Sequence, residues 1–84
     1  MKVELLHVPG CPHVAAARRL LRDCLAELEL PADVEEHAGA YPSPTILVDG
    51  QDVMGELPAV EAACRLDLPT RERILAALDA ASSR

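Results

Sequence analysis

The sequence predicts a small α/β domain in which helices pack against one mixed sheet. Two observations carry this prediction: an apolar strand runs directly into an amphipathic helix, and a second apolar strand ends in a hairpin signal. The chain has 84 residues, 50% of them hydrophobic, with no Phe, no Trp and one Tyr. Such a chain forms one domain with a modest, mainly aliphatic core.

The N-terminal part is expected to form a strand and then a helix. Residues 2–8 are a mostly apolar run, as is typical of a central strand covered on both faces. Pro9-Gly10 ends this strand, Pro12 suits the first turn of the helix, and Pro31 marks the end of the helix. Alternating three- and four-residue steps between apolar positions predict the helix itself. Its inward-facing residues are Val14, Ala17, Leu20, Leu21, Cys24, Leu25 and Leu28.

Three further strands are predicted in the middle of the chain. Residues 32–38 are polar and suit an edge strand, and residues 39–44 read as a loop. Residues 45–49 are β-branched and apolar and suit a buried strand, which Asp49-Gly50 turns tightly into residues 51–54. Because a strand–helix–strand unit is right-handed with parallel strands, we expect a parallel first pair and an antiparallel hairpin.

Two helices are predicted to follow Gly55. The first carries Leu57, Val60 and Cys64 on one face. The second has Thr70 at its N-cap. The inward-facing residues of the second helix are Ile74, Leu75 and Leu78.

The charge, the hydropathy and the cysteine content limit the partners and the compartment that we expect for this protein. The net charge is −6, and no basic run exceeds two residues, so a nucleic-acid partner is not expected. No segment approaches the roughly 20 apolar residues of a membrane span, and the N-terminus enters a strand rather than a signal peptide. Three cysteines without an export signal suggest reduced thiols. We therefore expect a cytoplasmic protein.

Cys11 is the main candidate for a chemical role. It lies between a strand and the start of a helix, where unpaired N–H groups and the helix dipole favour a thiolate. A protonated His13 would add to this effect. Val14 stands where a dithiol motif has its second cysteine, which excludes a relay within one helical turn. The alternative is that Cys11 is a small buried residue at a turn, as Cys24 is expected to be in the core.

Three motifs resemble the thioredoxin superfamily. They are "GCP" at the helix start, Ser43-Pro44-Thr45 before an apolar strand, and the hairpin "ILVDGQDVMG". The segments "LLHVPGCPH", "SPTILVDGQDVMG" and "ACRLDLPT" are similar to those of small thioredoxin-like proteins often labelled alkylmercury lyase. The resemblance implies a single thioredoxin-like domain over residues 1–84. The expected minimal fold has a four-stranded mixed sheet of order 2-1-3-4 and two C-terminal helices. It departs from the superfamily in lacking the usual helix between strands 2 and 3, because only residues 39–44 connect them.

The resemblance also implies a site around Cys11. Pro44 is expected to be cis and to lie against Cys11. Residues 39–44 must cross about 10 Å of sheet edge, which six residues can span, and this loop would bring Tyr41 to the thiol. Cys64 is expected either in the core or as a second thiol, although a helix starting at that edge would carry it about 12 Å away. The expected catalytic residues are Cys11, His13 and Cys64, and the expected substrate contacts are Pro12, Tyr41, Ser43, Pro44 and Gly55.

Three functions fit these residues. The first is thiol redox chemistry without a cofactor, in which Cys11 attacks a low-molecular-weight or protein disulfide and Cys64 or a second thiol molecule completes the exchange. The second is the binding of mercury or another thiophilic metal by Cys11 and Cys64, with the alkylmercury lyase activity that the label implies. The third is a non-enzymatic adaptor whose edge strand, residues 32–38, pairs with another protein.

Overall fold

The computed structural model describes residues 1–31, 33–55, 63–64 and 68–83. This part of the chain forms two helices and six strands. The helices are α1 (Val14–Glu27) and α2 (Arg71–Ser82). The strands are β1 (Val3–His7), β2 (Val34–Ala38), β3 (Pro42–Ser43), β4 (Thr45–Val48), β5 (Gln51–Asp52) and β6 (Ala63–Cys64). Neither α1 nor α2 is long and apolar enough to cross a membrane.

The main sheet has the strand order β2-β1-β4-β5. β1 is parallel to β2 and antiparallel to β4, and β4 and β5 form an antiparallel hairpin. Because β3 belongs to a different sheet, β4 and β5 are the third and fourth strands of the prediction. The expected order 2-1-3-4, the parallel first pair and the antiparallel hairpin are therefore confirmed. The segment between β2 and β4 contains no helix, also as expected.

A second sheet of two strands was not expected from the sequence. β3 and β6 pair in parallel, with Pro42 opposite Ala63 and Ser43 opposite Cys64. The prediction that residues 39–44 are entirely loop is wrong, and so is the prediction that Cys64 lies on a helix. The remainder of that predicted helix, residues 56–62, lies outside the described residues. Pairing between segments distant in sequence has overridden the local helical spacing at Cys64.

Both helices pack on one face of the main sheet. Side chains alternate along a strand, so Val3 and Leu5 of β1 face the helices together with their partners Val48 and Ile46 of β4. α2 adds Ile74 and Leu78, and the predicted stripe of α1 is confirmed apart from two half-buried leucines at its margin. The buried residues of α1 are Val14, Ala17, Leu21, Cys24 and Leu25.

The start of α2 agrees with the prediction, whereas the start of α1 corrects it. Thr70 is the N-cap of α2, and its Oγ1 accepts a hydrogen bond from the backbone N–H of Arg73 at 3.3 Å. α1 begins at Val14 with His13 as its N-cap. Pro12 therefore lies in the turn before the helix rather than in its first turn, which corrects the prediction for that residue.

The Asp49-Gly50 hairpin forms as predicted. Both residues have positive φ, 52° and 82°, which is the backbone conformation of a tight I′ turn between antiparallel strands. The Lys2 N–H donates to Asp49 Oδ1 at 2.8 Å, and the Asp49 N–H donates to the Lys2 carbonyl at 2.8 Å. These two bonds fasten the hairpin to the start of β1.

An ion pair fastens α1 to the edge strand β2. Arg18 donates to both carboxylate oxygens of Glu36, through Nε at 2.9 Å and Nη2 at 2.7 Å. These hydrogen bonds hold the pKa of Glu36 below its ordinary value of 4.5. A lowered carboxyl pKa contributes stability above the ordinary value, and that contribution is lost as the pH falls through the folded value.

Glu36→Gln is expected to lower the free energy of unfolding at pH 7 by less than about 1 kcal/mol, because the pair is partly exposed to solvent. The deficit should narrow below pH 4.5 and vanish once Glu36 protonates in the folded protein. Urea unfolding of both proteins at pH 7 and at low pH measures this. A deficit that persists at low pH would show that Glu36 acts through packing rather than through charge.

Candidate active site

Cys11 lies in the turn that joins β1 to α1. Its backbone N–H donates to the carbonyl of Val8 at 3.3 Å, and Gly10 takes a φ of +85° that favours glycine. These features turn the chain from β1 toward α1, and Cys11 lies three residues before the first residue of the helix. The side chain is half-buried and packs against the edge of the core. Cys11 is thus packed against the core and still partly exposed to solvent.

The Cys11 thiol contacts the segment just before β4. Its Sγ donates to the carbonyl oxygen of Ser43, with 3.9 Å between the two atoms. The Ser43–Pro44 peptide bond is cis, and Pro44 is fully buried. The structure therefore brings Cys11 together with Ser43 and Pro44, which follow it by more than 30 residues in the chain.

Ser43 also carries an unusual side chain. The residue has no exposed surface, and its Oγ has no hydrogen-bond partner among the residues the structure describes. A buried hydroxyl without a partner costs about 1–3 kcal/mol. The sequence did not reveal this feature, since a serine before a proline is ordinary in a loop. The residue whose carbonyl contacts the thiol therefore also has a buried hydroxyl that makes no hydrogen bond to the described residues.

The N-terminus of α1 is suited to negative charge. His13 is the N-cap, in a helical conformation (φ −92°, ψ −4°) and without a side-chain capping bond, and the first turn contains no acidic residue. The first N–H groups of a helix carry a partial positive charge that a capping side chain or an acidic residue would otherwise satisfy. An anion near the start of α1 therefore meets no competing carboxylate from that turn.

A small apolar groove opens beside the cis proline. It has a volume of about 90 Å³ and lies between the first turns of α1 and the segment that precedes α2. His13 and Pro44 connect the groove to the Cys11 turn. No pattern in the sequence indicates that Leu68 and Pro69 would also line it. The lining residues are His13, Ala16, Ala17, Leu20, Pro44, Leu68 and Pro69. A role for His13 as partner of a thiolate stays a prediction.

The second sheet places the backbone of Cys64 next to Ser43. In the parallel pairing of β3 with β6, Cys64 is the register partner of Ser43. Neighbouring strands are about 4.8 Å apart. The distance of about 12 Å expected along a helix no longer applies, because Cys64 reaches this region on an extended strand.

The other three predicted substrate contacts lie in different parts of the structure. Pro12 is exposed in the turn after Cys11. Tyr41 packs its ring against Gly39, where an added Cβ would come within 3.1 Å of Cε2. Gly55 closes a turn by donating to the carbonyl of Asp52 at 3.0 Å and lines a different groove with Arg73. Gly55 therefore belongs to another surface than the groove of His13 and Pro44.

Cys24 is a core residue, as predicted. It has no exposed surface and lies within the apolar cluster between α1 and the sheet. Burial raises the pKa of the Cys24 thiol. Val14, at the position of a second dithiol cysteine, is likewise buried in the core. Neither position contributes a reactive group to the site.

One group of metal-ligating type occurs among the described residues, and it is on the other face of the sheet. Ligand atoms of Glu4, Glu35 and His37 lie within 4.8 Å of one another. His37 Nε2 is 3.4 Å from Glu4 Oε2, and Lys2 Nζ is 3.7 Å from Glu35 Oε2. Lys2 already pairs with one of these carboxylates, and oxygen and imidazole ligands do not select a thiophilic metal. The cluster therefore does not match the thiophilic metal expected at Cys11 and Cys64.

The arrangement at Cys11 is that of a thiol held against a backbone carbonyl, beside a buried proline and at the positive end of a helix. Backbone groups next to a thiol can align an extended substrate, and the nearby groove can hold an apolar group. The chain matches no protein-family model, no curated protein and no solved structure.

Proposed function

We propose that this protein is a thioredoxin-like thiol protein that exchanges disulfides through Cys11. The observation that carries the proposal is the contact between the Cys11 thiol and the carbonyl of Ser43, the residue before the cis proline. The strand order of the main sheet and the position of Cys11 before α1 agree with the resemblance that the sequence suggests. Together they support a reactive thiol rather than a turn residue.

The proposed reaction is nucleophilic attack at sulfur. The thiolate of Cys11 attacks one sulfur of a disulfide substrate, a new Cys11–substrate disulfide forms, and the other half of the substrate leaves as a thiolate. The partly exposed thiol gives access to the substrate, and the uncapped start of α1 favours the anion that must form first. No cofactor is needed, because the substrate supplies the oxidising equivalents.

The pH dependence of alkylation tests the proposal. In the native, reduced protein we expect iodoacetamide to label Cys11 with a half-maximal rate below about pH 8.5, the region where an ordinary thiol ionises. Cys24 serves as the internal reference, because its burial should delay labelling until the protein unfolds. Peptide mass mapping assigns each label. If Cys11 is labelled only in denaturant, the thiol is structural and the proposal fails.

Ser43→Ala separates the function of the hydroxyl from its stability cost. The free energy of unfolding should stay unchanged or rise, because the Oγ is buried without a partner among the described residues. Disulfide exchange at Cys11 should slow by about fivefold, the kinetic equivalent of one hydrogen bond of about 1 kcal/mol to the reacting sulfur.

Urea unfolding and the rate of exchange with oxidised glutathione measure the two effects of Ser43→Ala. A clear loss of stability would mean that the Ser43 hydroxyl has a structural partner. An unchanged rate would mean that the hydroxyl takes no part in the exchange.

A further inference from the structure

Two cysteines approach Ser43 from opposite parts of the chain. The Cys11 thiol donates to the Ser43 carbonyl, and the backbone of Cys64 is paired with Ser43 across the second sheet. Cys11 belongs to the turn before α1, whereas Cys64 belongs to β6. Both cysteines therefore contact the two-residue strand β3. The fold thus brings two cysteines that are 53 positions apart in the sequence to the same residue, one through its thiol and the other through its backbone.

The third cysteine is not available for the same purpose. Cys24 is on α1, ten residues beyond its first residue, and a helix rises 1.5 Å per residue, so Cys24 lies about 15 Å along the axis from the helix start. It is also fully buried in the core. A disulfide requires Cα atoms within about 7 Å. A partner for Cys11 within this chain therefore has to be Cys64.

We propose that Cys64 is the resolving thiol of the Cys11 reaction. This proposal rests on the proposed function, since it needs a mixed disulfide at Cys11 to resolve. The Cys64 thiolate attacks the Cys11 sulfur of the mixed disulfide, a Cys11–Cys64 disulfide forms, and the remaining half of the substrate leaves as a thiolate. Over both steps one substrate disulfide gains two electrons and becomes two thiols, and the protein dithiol loses two electrons.

In this mechanism the resolving thiol does not come from the position three residues after Cys11, where a dithiol motif has its second cysteine. That position is Val14, which is buried in the core. The backbone pairing of Ser43 with Cys64 is the contact that brings Cys64 to the residue beside the Cys11 thiol. The substrate class is a disulfide that releases both halves as free thiols, and oxidised glutathione is a suitable probe of it.

The test uses the full-length reduced protein and a tenfold excess of oxidised glutathione, followed by an acid quench. Combined cleavage after basic residues and glutamates separates the three cysteines into residues 5–18, 23–27 and 62–65. We expect the wild-type protein to yield residues 5–18 linked to residues 62–65. The Cys64→Ser variant should instead retain glutathione on residues 5–18, at a level at least about tenfold above that of the wild type. Cys24→Ala, which adds no polar group to the core, is the matched control and should behave as the wild type.

The outcomes separate the two proposals. If the wild type retains glutathione on residues 5–18 as strongly as Cys64→Ser does, Cys11 is reactive but Cys64 does not resolve, and only the present inference is overturned. If residues 5–18 remain a thiol in every protein, the proposed function is overturned as well. Should Cys64→Ser fail to fold, the products of the wild type alone decide, because a linked peptide pair and a glutathione adduct have different masses.

Discussion

Cys11→Ser is expected to lower the rate of disulfide exchange in the native protein by at least about 100-fold, because a serine hydroxyl is not ionised near neutral pH and forms no disulfide. The rate is measured as the release of an aromatic thiolate from its disulfide, under pseudo-first-order conditions at pH 7. Stability should change little, since the Cys11 side chain is only half-buried and its contact with the Ser43 carbonyl is long, 3.9 Å.

The matched control for Cys11→Ser is Cys24→Ala. Cys24 lies fully inside the core, and burial raises the pKa of its thiol, so its removal should leave the exchange rate of the folded protein unchanged. The opposite pattern, a lost rate in Cys24→Ala and a retained rate in Cys11→Ser, would assign the observed exchange to unfolded molecules. Circular dichroism of both variants establishes that the folded protein is being compared.

Much of the fold could be predicted because its signals are local. The apolar spacing of α1 needs only the 3.6-residue period, and Thr70 reads as an N-cap because its hydroxyl can reach the N–H of Arg73. Asp49-Gly50 likewise determines a tight turn within two residues. Handedness then makes the first two strands parallel, whereas the strand order itself was expected from the resemblance.

The pairing of β3 with β6 could not be predicted in the same way. Two residues are too few to show a strand period, and the partners Ser43 and Cys64 are 21 positions apart. The spacing of Leu57, Val60 and Cys64 fits a helix equally well on paper. The structure places Cys64 on a strand because a long-range backbone partner is available there, and no local pattern records such a partner.

Some residues of the candidate site could be predicted from the sequence, and others could not. The sequence pointed to Cys11, Ser43 and Pro44 through a resemblance, and the structure brings these three residues together. The sequence did not reveal that the Ser43 hydroxyl is buried without a hydrogen-bond partner among the described residues, since burial of a loop serine depends on the segments that close over it. Leu68 and Pro69, which precede the last predicted helix, line the groove beside the site. Side chains contributed by an irregular segment carry no period from which to infer them.

Leu25→Ala is expected to have the largest effect on stability, lowering the free energy of unfolding by about 2–5 kcal/mol, as is typical when a buried leucine leaves a cavity. Leu25 has no exposed surface and lies in the core cluster that joins α1 to α2 and the sheet. A domain of this size has a total stability of only about 4–12 kcal/mol. Urea unfolding followed by circular dichroism should therefore show a much lower midpoint, or a protein already unfolded without urea.

Leu20→Ala is the matched control, because it makes the same change five residues earlier on the same helix. Leu20 is half-buried and lines the groove beside Pro44, so its truncation should cost about 1 kcal/mol or less and leave the fold intact. It should weaken exchange with disulfides that carry an apolar group, while exchange with oxidised glutathione stays the same. Equal losses of stability in both variants would contradict the burial difference. An unchanged preference between the two substrates in Leu20→Ala would show that the groove does not contact the substrate.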